Sequence, residues 1–300
     1  MISKPTVLIL GAGASIMYGF PSSKELREMI ISRFRSPTTT LYEEYNRMGF
    51  QNRTVNEFSE AFRQSGVTSI DSFLEHRPEF MKIGKNAIAE ALIPFETETS
   101  LFGREIDWYG YLLDKMNTPI QEFSKNKLRI ITFNYDRSLE WYLFKALQSR
   151  YGLRIEEAID LVKQIGIIHL YGTLGGMMWE DDGRLYNPST DRPEIYKARD
   201  KLKIIYEHIS EIQEFDWAHK ELLNAKRIVF LGFGHNKENV ARLAPDKWCR
   251  SDQILQSSGY GLTDLEKKCI NRLYDRELDF GNSDWDILKF LREKVDLEEK

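Results

Sequence analysis

The chain is poor in what several function classes require. It has two cysteines, Cys249 and Cys269, in 300 residues. These cannot build a four-cysteine zinc site, and their spacing matches no zinc motif, so both are expected as reduced, unpaired thiols and no metal is expected. No apolar run approaches the roughly 20 residues that a membrane-spanning helix needs, so no membrane contact is expected. The N-terminal residues carry one lysine and then a strand-like run, without a small-residue cleavage site, so the expected compartment is the cytoplasm. Dense runs of Lys and Arg are missing and the formal net charge is −4, so bulk electrostatics gives no support to nucleic-acid binding. There is no internal repeat and no low-complexity tract.

What is present is an alternation of two patterns. Thr6–Leu10, Leu128–Phe133 (LRIITF) and Arg227–Leu231 (RIVFL) read as buried parallel strands ending in polar or glycine turns. Gly166–Leu170 (GIIHL) is a shorter strand of the same kind, and 253–256 a weaker one. Helical patterns lie between most of them, so the expected class is α/β, a Rossmann-like parallel sheet flanked by helices. Ser22 and Glu25 form a capping box that starts the first helix, with Leu26, Met29, Ile30 and Phe34 at helical spacing. From about 36 to 125 no strand is evident, and Ser72 with Glu75 reads as a second helix start. The expected organisation is a catalytic domain of residues 1–35 and 126–300, interrupted by a mostly helical insertion, 36–125. Residues 181–193 read as a loop, and 263–278 and 285–295 as helices.

The turn after the first strand is G-A-G-A-S, residues 11–15. A dinucleotide fingerprint needs a third glycine and an acidic residue about 20 positions on, at the end of a second strand. Here Ile16 holds the third glycine position and the later stretch falls inside a helix, so hydride transfer is the least favoured use of a nicotinamide cofactor. Small residues instead persist through Ser15, and a second turn follows at Gly19, Phe20, Pro21 and Ser22. Backbone N–H groups at such a turn suit a diphosphate.

Ligands of open parallel sheets bind outside the carboxyl ends of the strands. Those positions here carry Gly11–Ser15; Asn134 and Asp136; His169 and Gly172; and Gly232, Gly234, His235 and Asn236. Each also has a plain structural reading. Asn134 and Asp136 suit helix caps, His169 a core histidine, and Gly232 and Gly234 a simple turn. Four strand ends with small or polar chemistry together favour a site. His76, His208 and His219 are read as structural or solvated.

In this order, the blocks G-A-G-A-S…G-F-P-S (11–22), T-F-N-Y-D (132–136), H-L-Y-G (169–172) and G-F-G-H-N (232–236) resemble the sirtuin superfamily. The chain lacks the paired cysteines of the zinc module that protein-deacylating sirtuins carry. That departure, with the helical insertion, is similar to the sirtuin-like domains of bacterial anti-phage systems, which act mainly as NAD glycohydrolases. The resemblance implies that Gly11, Ala12, Gly13, Ala14, Ser15, Gly19, Phe20, Pro21 and Ser22 hold the NAD diphosphate and ribose. It implies Asn134 and Asp136 beside the nicotinamide ribose, His169 as the catalytic histidine, and Gly232, Gly234 and Asn236 at the adenosine end.

The expected reaction is hydrolysis of NAD, as substrate, to nicotinamide and ADP-ribose. The leaving group is already cationic, so the two carboxylates of ordinary glycosidases are not needed. Asn134 would orient the ribose or a water, His169 would act as general base, and Asp136 would stabilise charge or fix its loop. The alternatives are a deacylase or ADP-ribosyl transferase at the same site, and a non-catalytic NAD- or ADP-ribose-binding assembly subunit. Free NAD cleavage is toxic to a host, so control through a homo-oligomer or a partner is expected. By resemblance that partner is a DNA-translocase-type ATPase or a short Argonaute-type protein.

Overall fold

Six strands form one sheet: Thr6–Leu10 (β1), Leu128–Thr132 (β2), Ile167–His169 (β3), Arg227–Leu231 (β4), Ile254–Ser257 (β5) and Asp279–Phe280 (β6). The computed structural model describes residues 1–103, 105–204 and 213–298; His208 lies outside them. Every neighbouring pair is parallel, in the order β3-β2-β1-β4-β5-β6. β1 and β4 are buried at every position, and their apolar runs Val7–Leu10 and Ile228–Leu231 suit a sheet with helices on both faces. Leu8 pairs with Ile130 on one side and Val229 on the other. The chain builds outward from β1 through β2 to β3, then returns to place β4 on the far side of β1. The order therefore reverses between β1 and β4, the crevice where doubly wound folds receive ligands.

The helix after β1, Ser23–Phe34 (α1), starts as the capping box dictates: Ser22 Oγ accepts from Glu25 N and the Glu25 carboxylate accepts from Ser22 N. Six helices then precede β2: Thr39–Arg47 (α2), Asn52–Gln64 (α3), Ile70–His76 (α4), Met81–Leu92 (α5), Glu98–Phe102 (α6) and Trp108–Lys115 (α7), with no strand among the described residues. The N-cap of α4 is Ser69, not Ser72. Ser69 is extended, its Oγ accepts from Ser72 N, and Ile70 is already buried in the first turn.

The later helices are Ser138–Tyr151 (α8), Ile155–Ile165 (α9), Arg192–Lys201 (α10), Gln213–Asn224 (α11), Lys237–Leu243 (α12), Pro245–Trp248 (α13), Asp264–Tyr274 (α14) and Ile287–Lys294 (α15). α10 begins inside the expected loop, with Pro193 in its first turn, where a missing N–H costs nothing. α14 ends at Tyr274 rather than Leu278 because Asp275 turns left-handed (φ 48°). The residues beyond it supply β6, which pairs with Gln256 and Ser257.

The inserted helices share the apolar core of the sheet. α5 packs on α1 and α10, and α7 on α8 and α15. Phe58 meets Phe34 of α1 edge-on at 5.1 Å, and Phe73 and Phe80 extend that cluster. No described helix is long and apolar enough to cross a membrane, and Cys249 and Cys269 are unpaired.

Candidate active site

The turn after β1 is held by the turn after β4. Gly11 N donates to Leu231 O (3.1 Å) and Gly13 N to Gly232 O (3.0 Å). Gly232 sits at φ 58°, and a Cβ on it would strike the backbone of Gly13 and Ala14. A Cβ on Gly11 would lie 2.6 Å from Gly232 O, and one on Gly13 2.7 Å from Gly232 Cα. These three glycines are thus required by two loops interlocking at the sheet's switch point, before any ligand is considered. Gly234 differs: it is exposed, and a Cβ there meets nothing within 4 Å.

A hydrogen-bond network covers the ends of β1, β2 and β3. Asn134 Nδ2 donates to Gly11 O (3.0 Å) and to Ser15 Oγ (3.1 Å). Ser15 Oγ in turn donates to Asp136 Oδ2 (2.7 Å), so it must accept from Asn134, which fixes the amide's orientation. Asn134 Oδ1 is left with no partner among the described residues, on a half-buried side chain. Asp136 is buried, and its other oxygen accepts from Ser138 N (3.2 Å) and Ser138 Oγ. Burial pushes the Asp136 carboxyl up, against the pull of these bonds. Both its oxygens are occupied, so it fixes its loop to α8 and to the glycine turn.

His169 ends β3. Its Nδ1 lies 2.9 Å from Asn134 O and its Nε2 2.5 Å from Glu140 Oε1 in the first turn of α8. Both partners are acceptors, so the arrangement suits an imidazolium donating from both nitrogens. Burial pulls its pKa down, but Glu140, by charge and hydrogen bond, the Asn134 carbonyl and Asp136 outweigh it, and the pKa stands above the usual histidine value. As arranged, His169 has no free lone pair, and the general-base role expected of it requires the ring to lose a proton and part from Glu140.

The remaining expected residues divide. Phe20 is buried and tilted against Phe95 of the insertion at 6.0 Å, and Ser22 spends its hydroxyl on the α1 cap. Gly19 is exposed and left-handed (φ 91°), and Pro21 is half-buried. Asn236 follows Gly232 and Gly234 after β4 and caps α12 through Asn239 N (2.8 Å). His235 between them is buried, with Nδ1 2.9 Å from Tyr274 Oη and Nε2 2.9 Å from Ser257 Oγ. Burial pushes its pKa down to about 3, so it is neutral.

Sequence reasoning missed the residues that support the network from helices. Glu140 is one. Trp108 Nε1 donates to Ala14 O (2.9 Å), Tyr18 Oη donates to Asp107 Oδ1 (3.0 Å), and the Tyr109 hydroxyl meets Ser138 Oγ (2.7 Å). The start of α7 thereby clasps the glycine turn, so the insertion takes part in building the site. Tyr135 reaches Asp71 of α4, and Arg242 of α12 bonds Glu75 of α4 and Tyr171. Buried Arg137 holds Glu96 through two bonds (2.9 and 2.6 Å) and the Gly176 carbonyl (2.7 Å), and Arg184 joins the same carboxylate.

A cavity of about 380 Å³ lies elsewhere, lined by Arg33, Glu90, Arg47 and Arg192 among others, and includes none of the strand-end residues. Within it Arg33 bonds both Glu44 and Glu90. The strand-end network carries the stronger chemical signal, because its unpartnered acceptor lies at the carboxyl ends of the strands, where open parallel sheets generally receive ligands. Among the described residues, no group of three or more His, Cys, Asp or Glu is arranged to hold a metal ion. No protein-family model and no curated protein sequence matches the chain.

Proposed function

We propose that the chain cleaves NAD to nicotinamide and ADP-ribose, as an NAD glycohydrolase that depletes cellular NAD in anti-phage defence. The observation that carries this reading is Asn134 Oδ1, an unpartnered acceptor fixed in orientation at the end of β2, beside the glycine turn of β1. A dinucleotide lying across the β1/β4 crevice would bring its nicotinamide ribose toward that acceptor.

The C1′–N bond breaks with its electron pair going to the nicotinamide ring, which leaves neutral. Water adds to the oxocarbenium-like carbon and its proton passes to solvent. Asn134 Oδ1 would accept from a ribose hydroxyl or from that water, and so set its approach. Ser15 and Asp136 hold the amide in place. The insertion, joined to the turn by Trp108, Tyr109 and Tyr18, would carry control from a second copy or a partner chain.

The test is product analysis after incubation with NAD, for the chain alone and with the product of the neighbouring gene. Nicotinamide and ADP-ribose in equal amounts are expected. Acyl-ADP-ribose formed only with an acetylated peptide would indicate a deacylase. Tight NAD binding without turnover under both conditions would indicate a binding subunit.

A further inference from the structure

We propose that Glu140 is a positioning residue of this site, holding His169 charged so that its Nδ1–H clamps the Asn134 carbonyl and keeps Asn134 Oδ1 presented. Three observations carry it. Glu140 Oε1 is 2.5 Å from His169 Nε2, and the two side chains are only 12% and 9% exposed. The other ring nitrogen meets the backbone of Asn134 itself. Asn134 is also the residue whose Nδ2 grips Gly11 and Ser15, so the chain Glu140–His169–Asn134–Ser15 runs unbroken from α8 to the glycine turn.

The charge of Glu140 also matters in sign. A lone imidazolium beside a ribose gaining positive charge would oppose bond breaking. Paired with a carboxylate, it is close to neutral and can stay protonated. Of the charged groups around His169, Glu140 and Asp136 act on it, and both are negative. On α11, which packs on β3, Glu214 is taken by Lys203, Glu221 lies 3.8 Å from Arg129, and His219 bonds Arg242 O.

This inference rests on the NAD reading for its consequence, but its test does not. Glu140→Gln keeps an acceptor for Nε2–H and removes the charge. Ring nitrogen NMR of the five histidines, assigned with His169→Gln, follows His169 against pH. In the wild type it should stay protonated to higher pH than in Glu140→Gln, and the Asn134 side-chain amide signals should move with it. Glu140→Asp should retain the high-pH protonation. An unchanged His169 titration in Glu140→Gln, or Asn134 signals indifferent to it, overturns the proposal whatever happens to NAD. If NAD is cleaved, Glu140→Gln should lower kcat at neutral pH by roughly tenfold, about 1.4 kcal/mol, with KM little changed. A loss confined to KM would contradict the positioning role. If NAD is not cleaved, the titration still decides the role of Glu140, and only the NAD reading falls.

Discussion

Two histidines stand at the carboxyl ends of strands of one sheet, and their surroundings shift their pKa values in opposite directions. His169, over the β1–β3 half, meets a carboxylate and a carbonyl, which raise its pKa above the usual histidine value. His235, over the β4–β5 half, meets two hydroxyls and stays neutral. Burial acts in the same direction on both, so the partner decides. The two halves differ in the same way. One is a polar chain ending in an unpartnered acceptor, and the other is glycine interlock and satisfied hydrogen bonds. The unpartnered acceptor belongs to the first half, and the glycine that closes the switch point to the second.

The largest effect should come from breaking the closure. Gly232→Ala puts a Cβ into the Gly13 and Ala14 backbone at a left-handed φ. A loss of about 3 kcal/mol or more, or failure to fold, is expected in urea denaturation. His235 should shape the acid limb of stability. Its folded pKa of about 3 lies below the usual 6.5, so the unfolded state binds the extra proton between those values. Its contribution is present above pH 6.5 and lost as pH falls toward 3, at up to about 1.4 kcal/mol per unit. His235→Gln should flatten that slope in denaturation midpoints measured across the range.

His169 should act in the opposite direction. Its folded pKa is raised, so its contribution is full below the unfolded value and lost as pH rises through the folded one. Denaturation midpoints of wild type and Glu140→Gln should converge on the alkaline side of that window. The smallest effect belongs to Gly234→Ala, where there is open space and no positive φ. Within about 0.5 kcal/mol of wild type is expected, and a large loss would mean that this turn is as tightly closed as Gly232.

The α/β class, the five longer strands and the α1 cap were legible in the sequence because each is a local pattern: apolar runs, turn residues, a serine three places before a glutamate. β6 was not, since two residues carry no periodicity and pair only because β5 is already there. The glycines were legible as a turn, but their reason was not. Gly11 and Gly13 are small because Gly232, more than two hundred residues away, packs on them. Glu140 escaped notice for a similar cause: it lies in the first turn of α8, not at the strand end, and its partner is 29 residues on. Trp108 and Tyr109 sit in the insertion, where nothing in the sequence ties them to the first turn.

The proposed NAD cleavage at the Asn134 end of the sheet requires the Asn134 carboxamide. Nicotinamide release by wild type and by Asn134→Ala, compared with thermal unfolding of both, tests it most directly. Release by the wild type, alone or with the product of the neighbouring gene, is expected, with a loss of about a hundredfold or more in a variant that still folds. Equal release by the two proteins, or none from the wild type under either condition, would contradict it.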